Sequence, residues 1–421
     1  MKVLLIAANT ERVNMPTMPV GLASVAAATR QAGHETSFLD LMNAPDPGAA
    51  IAERMAAFAP ELVGISVRNI DDQTLASPRF LLEKVRDVVG QCRASSAAPI
   101  VLGGPGFSIL PDAVLGYLGA DFGVRGEGER AFTALLERLQ RGLDPGDIPG
   151  VHQPGRSALP PAFVAELDTL PFPSEELWQG VDPTNPELWV PVESRRGCPN
   201  DCAYCATFQI QGRTIRCRSP RSVAEYAGRL ARAGFRKLYF VDNSFNIPEP
   251  HALELCRCLG ELAPAVSWRC ILYPHLVAEP LVQAMAAAGC VEVALGFESG
   301  CPNVLRRLNK RFDPADVRRI SELLAAHGIR RIGFLLLGAP GETRESVEQS
   351  LAFAESLGLD MLRVTVGIRI YPGTPLQKLA VAEGQLSPED DLLQPRFYLA
   401  PGLEPWIHQR VTPGMFAPGP R

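Results

Sequence analysis

The sequence predicts an α/β protein: a doubly wound parallel sheet followed by a partial, open (β/α)6 barrel. Three observations predict it. Short apolar runs alternate with helix-length runs along most of the 421 residues, the pattern of successive βαβ units. The alternation stops at a Gly- and Pro-rich stretch without periodicity, 142–161, and restarts near residue 188. Gly33, Gly234, Gly289, Gly328 and Gly358 follow helical runs, where a C-cap glycine ends a helix. The expected divisions are a first domain over 1–145, a linker over 146–187, the barrel over 188–385 and a tail over 386–421.

In the first domain, strands are expected at 3–8, 35–41, 62–67, 100–103 and 122–124. Helices are expected at 21–32, 48–58, 78–89, 112–118 and 129–140. Ligands of such sheets bind beyond the carboxyl ends of the strands. Those ends carry a proline- and methionine-bearing loop (9–21), the run Arg68-Asn69-Ile70-Asp71-Asp72, a GGPGF turn (103–107) and an RGEGE turn (125–129). No GxGxxG follows the first strand, which weakens a nicotinamide or flavin reading. The linker is read as a plain connection, with His152 exposed and Trp178 packed against a domain.

In the barrel, strands are expected at 188–193, 237–241, 266–272, 291–297, 331–337 and 361–370. Helices are expected at 219–233, 250–262, 279–288, 302–308, 314–327 and 344–357. The carboxyl ends form a polar ring. It comprises VDNSFN with Asp242, Asn243, Ser244 and Asn246, then Trp268 and Arg269, GFESG with Glu298 and Ser299, Gly338 and Glu342, and Arg369 with Tyr371. Arg216 and Arg218 either line the substrate side or form structural ion pairs. The tail begins as an acidic helix start, its aromatics are expected to cover the barrel's open side, and its last residues, PGMFAPGPR, are expected to be disordered.

Composition narrows the function. Apolar content of 46% and charged content of 21% are those of a globular protein. A net charge of −5 gives no electrostatic case for nucleic acid or an anionic membrane surface. No run approaches the ~20 apolar residues of a membrane span, and the apolar N-terminal run is too short for a secretory signal. Ten cysteines without a regular framework fit a reducing cytoplasm, the seven outside one array being read as buried small hydrophobes. The 38 prolines are assigned to connections and the tail.

That array is CxxxCxxC: Cys198, Cys202 and Cys205 in RRGCPNDCAYC. Three thiolates within eight residues can face one inorganic centre, and no fourth ligand is evident nearby. A four-iron cluster used only for electron transfer takes four thiolates, so three leave one iron open. Zinc is the competing metal, although structural zinc sites are closed by four ligands, usually as separated pairs.

The array, with Tyr204 before its last cysteine, resembles the signature of the radical S-adenosylmethionine (SAM) superfamily. The resemblance implies a 4Fe-4S cluster on Cys198, Cys202 and Cys205, whose open iron binds SAM, and cleavage of SAM to a 5′-deoxyadenosyl radical. It further implies Asp242, Asn243 and Ser244 at the methionyl amino group, Glu298 and Ser299 at the ribose, and Gly338 and Tyr204 by the adenine. Arg269 is the candidate for the SAM carboxylate. The Rossmann-like first domain, with PVGLASVAA, GGPGFSILP and RGEGE, resembles the cobalamin-binding domain ahead of the barrel in many such enzymes. Gly103, Gly104, Gly106 and Phe107 would then wall the cobalamin tail, with Gly126, Glu127 and Gly128 beside it. No DxHxxG is present, and His34, the sole histidine before residue 150, stands outside any such motif. The residue below cobalt is therefore sought in the loop after the third strand, with Arg68 the candidate and Asn69 a further cobalamin contact. The alternative for Arg68 is a solvated or phosphate-pairing arginine.

Together the two modules imply a cobalamin-dependent radical SAM methyltransferase, moving a methyl group from SAM via methylcobalamin to an unactivated carbon of a small natural-product or metabolic substrate. The alternatives are a cyclase or rearrangement enzyme with the same cofactors, and a non-enzymatic sensor. An external one-electron reductant of flavodoxin or ferredoxin type is implied.

Overall fold

A computed structural model describes residues 1–11, 18–178 and 181–411 of the chain. The first sheet holds β1 (Lys2–Ala7), β2 (Glu35–Asp40), β3 (Leu62–Ser66), β4 (Ile100–Gly103), β5 (Phe122–Val124) and β6 (Val151–His152). Its order is β2-β1-β3-β4-β5-β6, with β1 to β5 parallel and β6 antiparallel on the edge. Strand order therefore reverses between β1 and β3, the crevice where doubly wound sheets bind ligands. Val3 to Ile6 of β1 are at most 1% exposed, because helices cover both faces.

The second sheet holds β7 (Val190–Val192), β10 (Lys237–Phe240), β11 (Ser267–Leu272), β12 (Cys290–Glu298), β13 (Arg330–Leu337) and β14 (Met361–Val366). All pair in parallel in the order β14-β13-β12-β11-β10-β7, the open barrel. Between β7 and β10 lies a short antiparallel pair, β8 (Arg195–Arg196) with β9 (Arg216–Cys217). On the helix side Trp268 packs on Phe240 and Phe245, and its Nε1 donates to Ala288 O at 2.7 Å. Strand alternation then turns Tyr239 and Arg269 to the concave side. Among the described residues no helix is long and apolar enough to cross a membrane.

Several expectations are corrected. Prolines are not confined to connections and the tail: helices Pro47–Phe58, Pro111–Leu118, Pro220–Arg232, Pro302–Arg307, Pro314–Ala326 and Pro375–Ala382 open on one. At that position the missing N–H costs nothing and the fixed φ favours the helix. The helix expected from 78 is Leu82–Ser95, since Phe80 bridges to Asp71 and Arg79 bonds to Asp72. Residues 361–370 are not one strand. Gly367, at φ +76°, ends β14, and β15 (Ile368–Arg369) leaves to pair with β16 (Phe397–Tyr398) of the tail. The acidic tail start is a turn, in which Asp390 and Asp391 accept the Leu392 and Leu393 N–H groups. The linker contributes β6, and His152 in it is buried, its Nδ1 2.8 Å from Asp112 Oδ1. Trp178 is buried, and six of the seven cysteines outside the array are buried while Cys217 is half-exposed. Residues 412–421, which hold the PGMFAPGPR end, lie outside the described residues.

Candidate functional site

Cys198, Cys202 and Cys205 lie on the loop between β8 and helix Thr207–Gln211, half-buried and unpaired with one another. Gly197 starts this loop at φ +89°, and a Cβ there would stand 2.0 Å from Thr214 O, so only glycine fits. The loop is tied at both sides: Ala203 N–H donates to Leu308 O at 3.0 Å and Leu376 N–H to Ala203 O at 2.9 Å. Burial pushes the Cys198 and Cys202 thiols up, so loading metal must displace their protons. Among the described residues no three His, Cys, Asp or Glu side chains converge as a single ion requires. Each thiolate of an iron–sulfur cube takes a different corner, so thiols that do not converge on one point are compatible with such a cluster.

The ring residues divide. Tyr204 Oη donates to Glu298 Oε1 at 2.8 Å, and Lys310 Nζ donates to both, at 3.0 and 3.3 Å. Glu298 stands at φ +63° beside a register shift in β12, an uncommon backbone state for a side chain that must be aimed. Asn243 Nδ2 donates at 2.6 Å to Gln211 Oε1, which also accepts Gly197 N–H at the start of the cluster loop, and Ser244 Oγ donates to Asn243 O at 2.8 Å. Gly338, at φ +96°, closes β13, its N–H bonded to Glu342 Oε2 at 2.5 Å and Leu399 packed where a Cβ would go.

Three SAM assignments do not survive the geometry. Asp242 is 1% exposed and accepts from Ser194 N–H, Ser194 Oγ and Arg195 N–H, with the Arg195 guanidinium beside it. Its carboxylate holds the end of β7. Ser299 is fully buried and bonds Ser350 Oγ and Cys301 N–H, fastening the start of helix Pro302–Arg307. Arg269 lies in the amino-terminal half of β11, donating to Glu292 Oε1 at 3.3 Å and stacked on Trp189 and Tyr239. It is thus away from the carboxyl ends. Arg218 donates to Leu170 O and lies on Phe172, and Arg216 pairs with Glu127, so both are structural.

At the β1/β3 switch point is a cavity of about 340 Å³. Ala7, Asn9, Ser66, Arg68, Gly103, Gly104, Gly126 and Gly128 contribute from the first sheet, and Glu193, Arg196, Gln211 and Val241 from the barrel side. Arg68 Nη1 is buried with no acceptor, and burial lowers its pKa. A buried cationic donor without a partner is costly, so this atom is set for a group the chain does not supply. Gly104, at φ +91°, brings β4 against Val67, whose carbonyl would lie 2.7 Å from a Cβ there and 3.0 Å from one at Gly106. The orphaned guanidinium, the glycine-lined wall and the switch-point position together fit a flat macrocycle with a long tail. Asn69 is half-buried outside this wall. Two assignments are corrected. Phe107 is fully buried under Gly123 and edge-on to His152, a core residue. Glu127 borders the cavity, but Oε2 accepts Val164 N–H and Oε1 pairs with Arg216 at 2.7 Å.

The sequence reading missed the join. Arg196, 5% exposed, donates to Glu129 Oε1 at 2.5 Å and Glu193 Oε2 at 2.7 Å, linking the RGEGE turn to the cluster hairpin. Against the cost of burial, Arg196 holds Glu129 below the ordinary carboxylate range, whereas burial pushes Glu193 up. Two adjacent arginines before the first cysteine were the available signal.

Comparison with known proteins agrees with this geometry. The Radical SAM superfamily model matches residues 192–354, and the B12 binding domain model residues 6–136. An uncharacterized methyltransferase of Pyrococcus horikoshii is 27% identical over 92% of this chain and 84% of its own. The tryptophan 2-C-methyltransferase of Streptomyces laurentii is 25% identical over 88% and 73%. The radical S-adenosylmethionine methyltransferase TsrM of Kitasatospora setae, solved with cobalamin and a [4Fe-4S] cluster, superposes with a TM-score of 0.81 at 25% identity, covering 91% of this chain and 75% of that one.

Proposed function

As a radical SAM protein with a B12-binding domain ahead of its barrel, this chain is, we propose, a methyltransferase that moves a methyl group from SAM through cobalamin to an unactivated carbon of a small molecule. The observation that carries this is the shared junction: one cavity is walled by the ligand end of the first sheet and by the hairpin that bears the cysteine loop. When bound, the cluster and cobalamin supply the radical and methyl-carrier chemistry. The chain supplies position and exclusion of water.

In this reading the divisions are 1–145 for cobalamin, 146–187 as linker, 188–385 for the cluster and SAM, and 386–421 as tail. Cys198, Cys202 and Cys205 hold the cluster. Tyr204 and Glu298 face SAM, with Asn243, Ser244 and Gly338 around it. Arg68, whose Nη1 has no acceptor, would meet the bound cobalamin, where its cation would disfavour a positively charged cobalt state, and Gly103, Gly104, Gly126 and Gly128 would let the cofactor tail pass close to backbone. A flavodoxin- or ferredoxin-type protein delivers single electrons, in a reducing cytoplasm. The ten unpaired cysteines are consistent with that compartment.

The test is anaerobic reconstitution with iron, sulfide and cobalamin, followed by turnover of candidate small molecules with methyl-labelled SAM. Label in the product supports methyl transfer. A product formed without label supports ring closure or rearrangement instead, and a Cys198→Ala variant that still turns over removes the scheme.

A further inference from the structure

We propose that Lys310 is a positioning residue: it fixes Glu298 and Tyr204 against the cysteine loop, and its charge eases reduction of a cluster held by Cys198, Cys202 and Cys205. This rests on the cluster assignment above.

The Lys310 side chain is 5% exposed, and a buried ammonium needs partners. It has Tyr204 Oη and Glu298 Oε1, and three aromatic rings surround it: Tyr204 at 5.2 Å, Tyr273 at 6.0 Å and Phe312 at 6.0 Å from the ammonium. The backbone that carries it is fastened to the cysteine loop. Leu308 O accepts Ala203 N–H, Asn309 Nδ2 donates to Asp201 O at 3.0 Å, and Arg311 N–H donates to Tyr273 Oη at 3.0 Å. The ammonium therefore cannot retreat to water without undoing the loop.

Its charge lies beside the cysteine loop: the ammonium is 3.0 Å from the hydroxyl of Tyr204, the residue before Cys205, and its neighbours Leu308 and Asn309 are bonded to Ala203 and Asp201, on either side of Cys202. Reduction adds one electron to a centre already surrounded by thiolates. A fixed, buried cation stabilises the more negative state, and little water intervenes to screen it.

The test is a redox titration with dithionite, followed by electron paramagnetic resonance, of the anaerobically reconstituted full chain without SAM. No bond forms or breaks; one electron enters the cluster. Lys310→Met should shift the reduction equilibrium about tenfold toward the oxidised cluster, which is about 59 mV for one electron. Lys310→Arg should recover most of it. Glu298→Gln, which leaves the cation uncompensated, should shift the equilibrium the other way. Equal potentials in Lys310→Met and wild type at equal iron content overturn the inference while leaving the cluster assignment standing. Should Lys310→Met fail to load iron, Glu298→Gln decides: a rise supports the inference and no rise overturns it. A wild-type chain that takes up no iron overturns the cluster assignment, and this inference with it.

Discussion

Asp242 and Glu298 both end a barrel strand with a carboxylate, yet their surroundings give them opposite work. Asp242 is enclosed and its oxygens are taken by Ser194 and Arg195. Glu298 keeps 14% of its side chain exposed and accepts from Tyr204 Oη, on the loop of cysteines, and from Lys310 Nζ. Removing one partner of a buried ion pair leaves an uncompensated charge, at a cost of roughly 3–5 kcal/mol. Asp242→Asn leaves the Arg195 guanidinium, which is 2% exposed, hydrogen-bonded but without its carboxylate, and should lower the unfolding free energy of the cofactor-free chain by about 3 kcal/mol. Asn243→Ala should change stability little and weaken SAM binding. Urea unfolding and SAM titration of the two variants separate these outcomes, and an Asp242→Asn chain of undiminished stability would contradict the assignment. Spacing alone singled out the three cysteines, and the local motifs around Tyr204 and Glu298 carried the resemblance that proposed those two. Neither revealed which strand-end carboxylate turns inward. That depends on a register shift in β12 and on Ser194, the residue between β7 and β8 that bonds Asp242.

At the scale of elements, the turn from β13 into helix Arg344–Ser356 is held by one buried side chain. Glu342 Oε2 accepts the Gly338 and Ala339 N–H groups, while Oε1 is buried without a partner. Burial outweighs those two bonds and raises its pKa to about 7. The folded state therefore prefers the protonated acid, whose free oxygen carries the proton. With a folded pKa above the unfolded one, the contribution to stability is complete below about 4.5 and is lost as pH rises through about 7. The span of the shift sets an upper value of roughly 3 kcal/mol. Glu342→Gln keeps the acceptor and the shape without the charge. Urea midpoints taken from pH 5 to 8 should fall for wild type relative to the variant; parallel curves would refute the assignment. Most elements were legible because parallel strands buried on both faces read as apolar runs and helices close on glycine. The misreadings came from non-local causes. Residues 78–81 are held out of a helix by Asp71 and Asp72, and β14 stops at Gly367, where Leu75 of the first sheet's loop packs within 2.6 Å of the absent Cβ.

For the whole molecule, the question is what keeps two sheets, folded from separate stretches, facing across one cavity. Asp71, from the loop after β3, meets Arg369 of β15 with Nε–Oδ2 at 2.7 Å, and both side chains are at most 2% exposed. Arg369 also donates to Ile370 O and Leu392 O, and Asp71 Oδ1 accepts Gln73 N–H, so the pair joins the first sheet, the barrel and the tail. Arg196 with Glu129 makes the second such join on the cysteine side of the cavity. Buried pairs add little net stability over an apolar replacement, but losing one partner is expensive, which suits them to fixing an orientation. Asp71→Asn should therefore cost about 3–5 kcal/mol, whereas the double change Asp71→Leu with Arg369→Met should cost much less than the sum of the singles. If the pair sets orientation, the double variant should still bind cobalamin and hold a full complement of iron yet transfer label from methyl-labelled SAM poorly, because the reacting centres tolerate displacements of only about 1 Å. Unfolding by urea, cofactor content and label transfer, measured on the singles and the double, give the cycle. A double variant with wild-type transfer would show that this pair does not set the orientation, with Arg196 on Glu129, Gly367 against Leu75 and helix Pro105–Ile109 against helix Thr207–Gln211 as the contacts left to hold it.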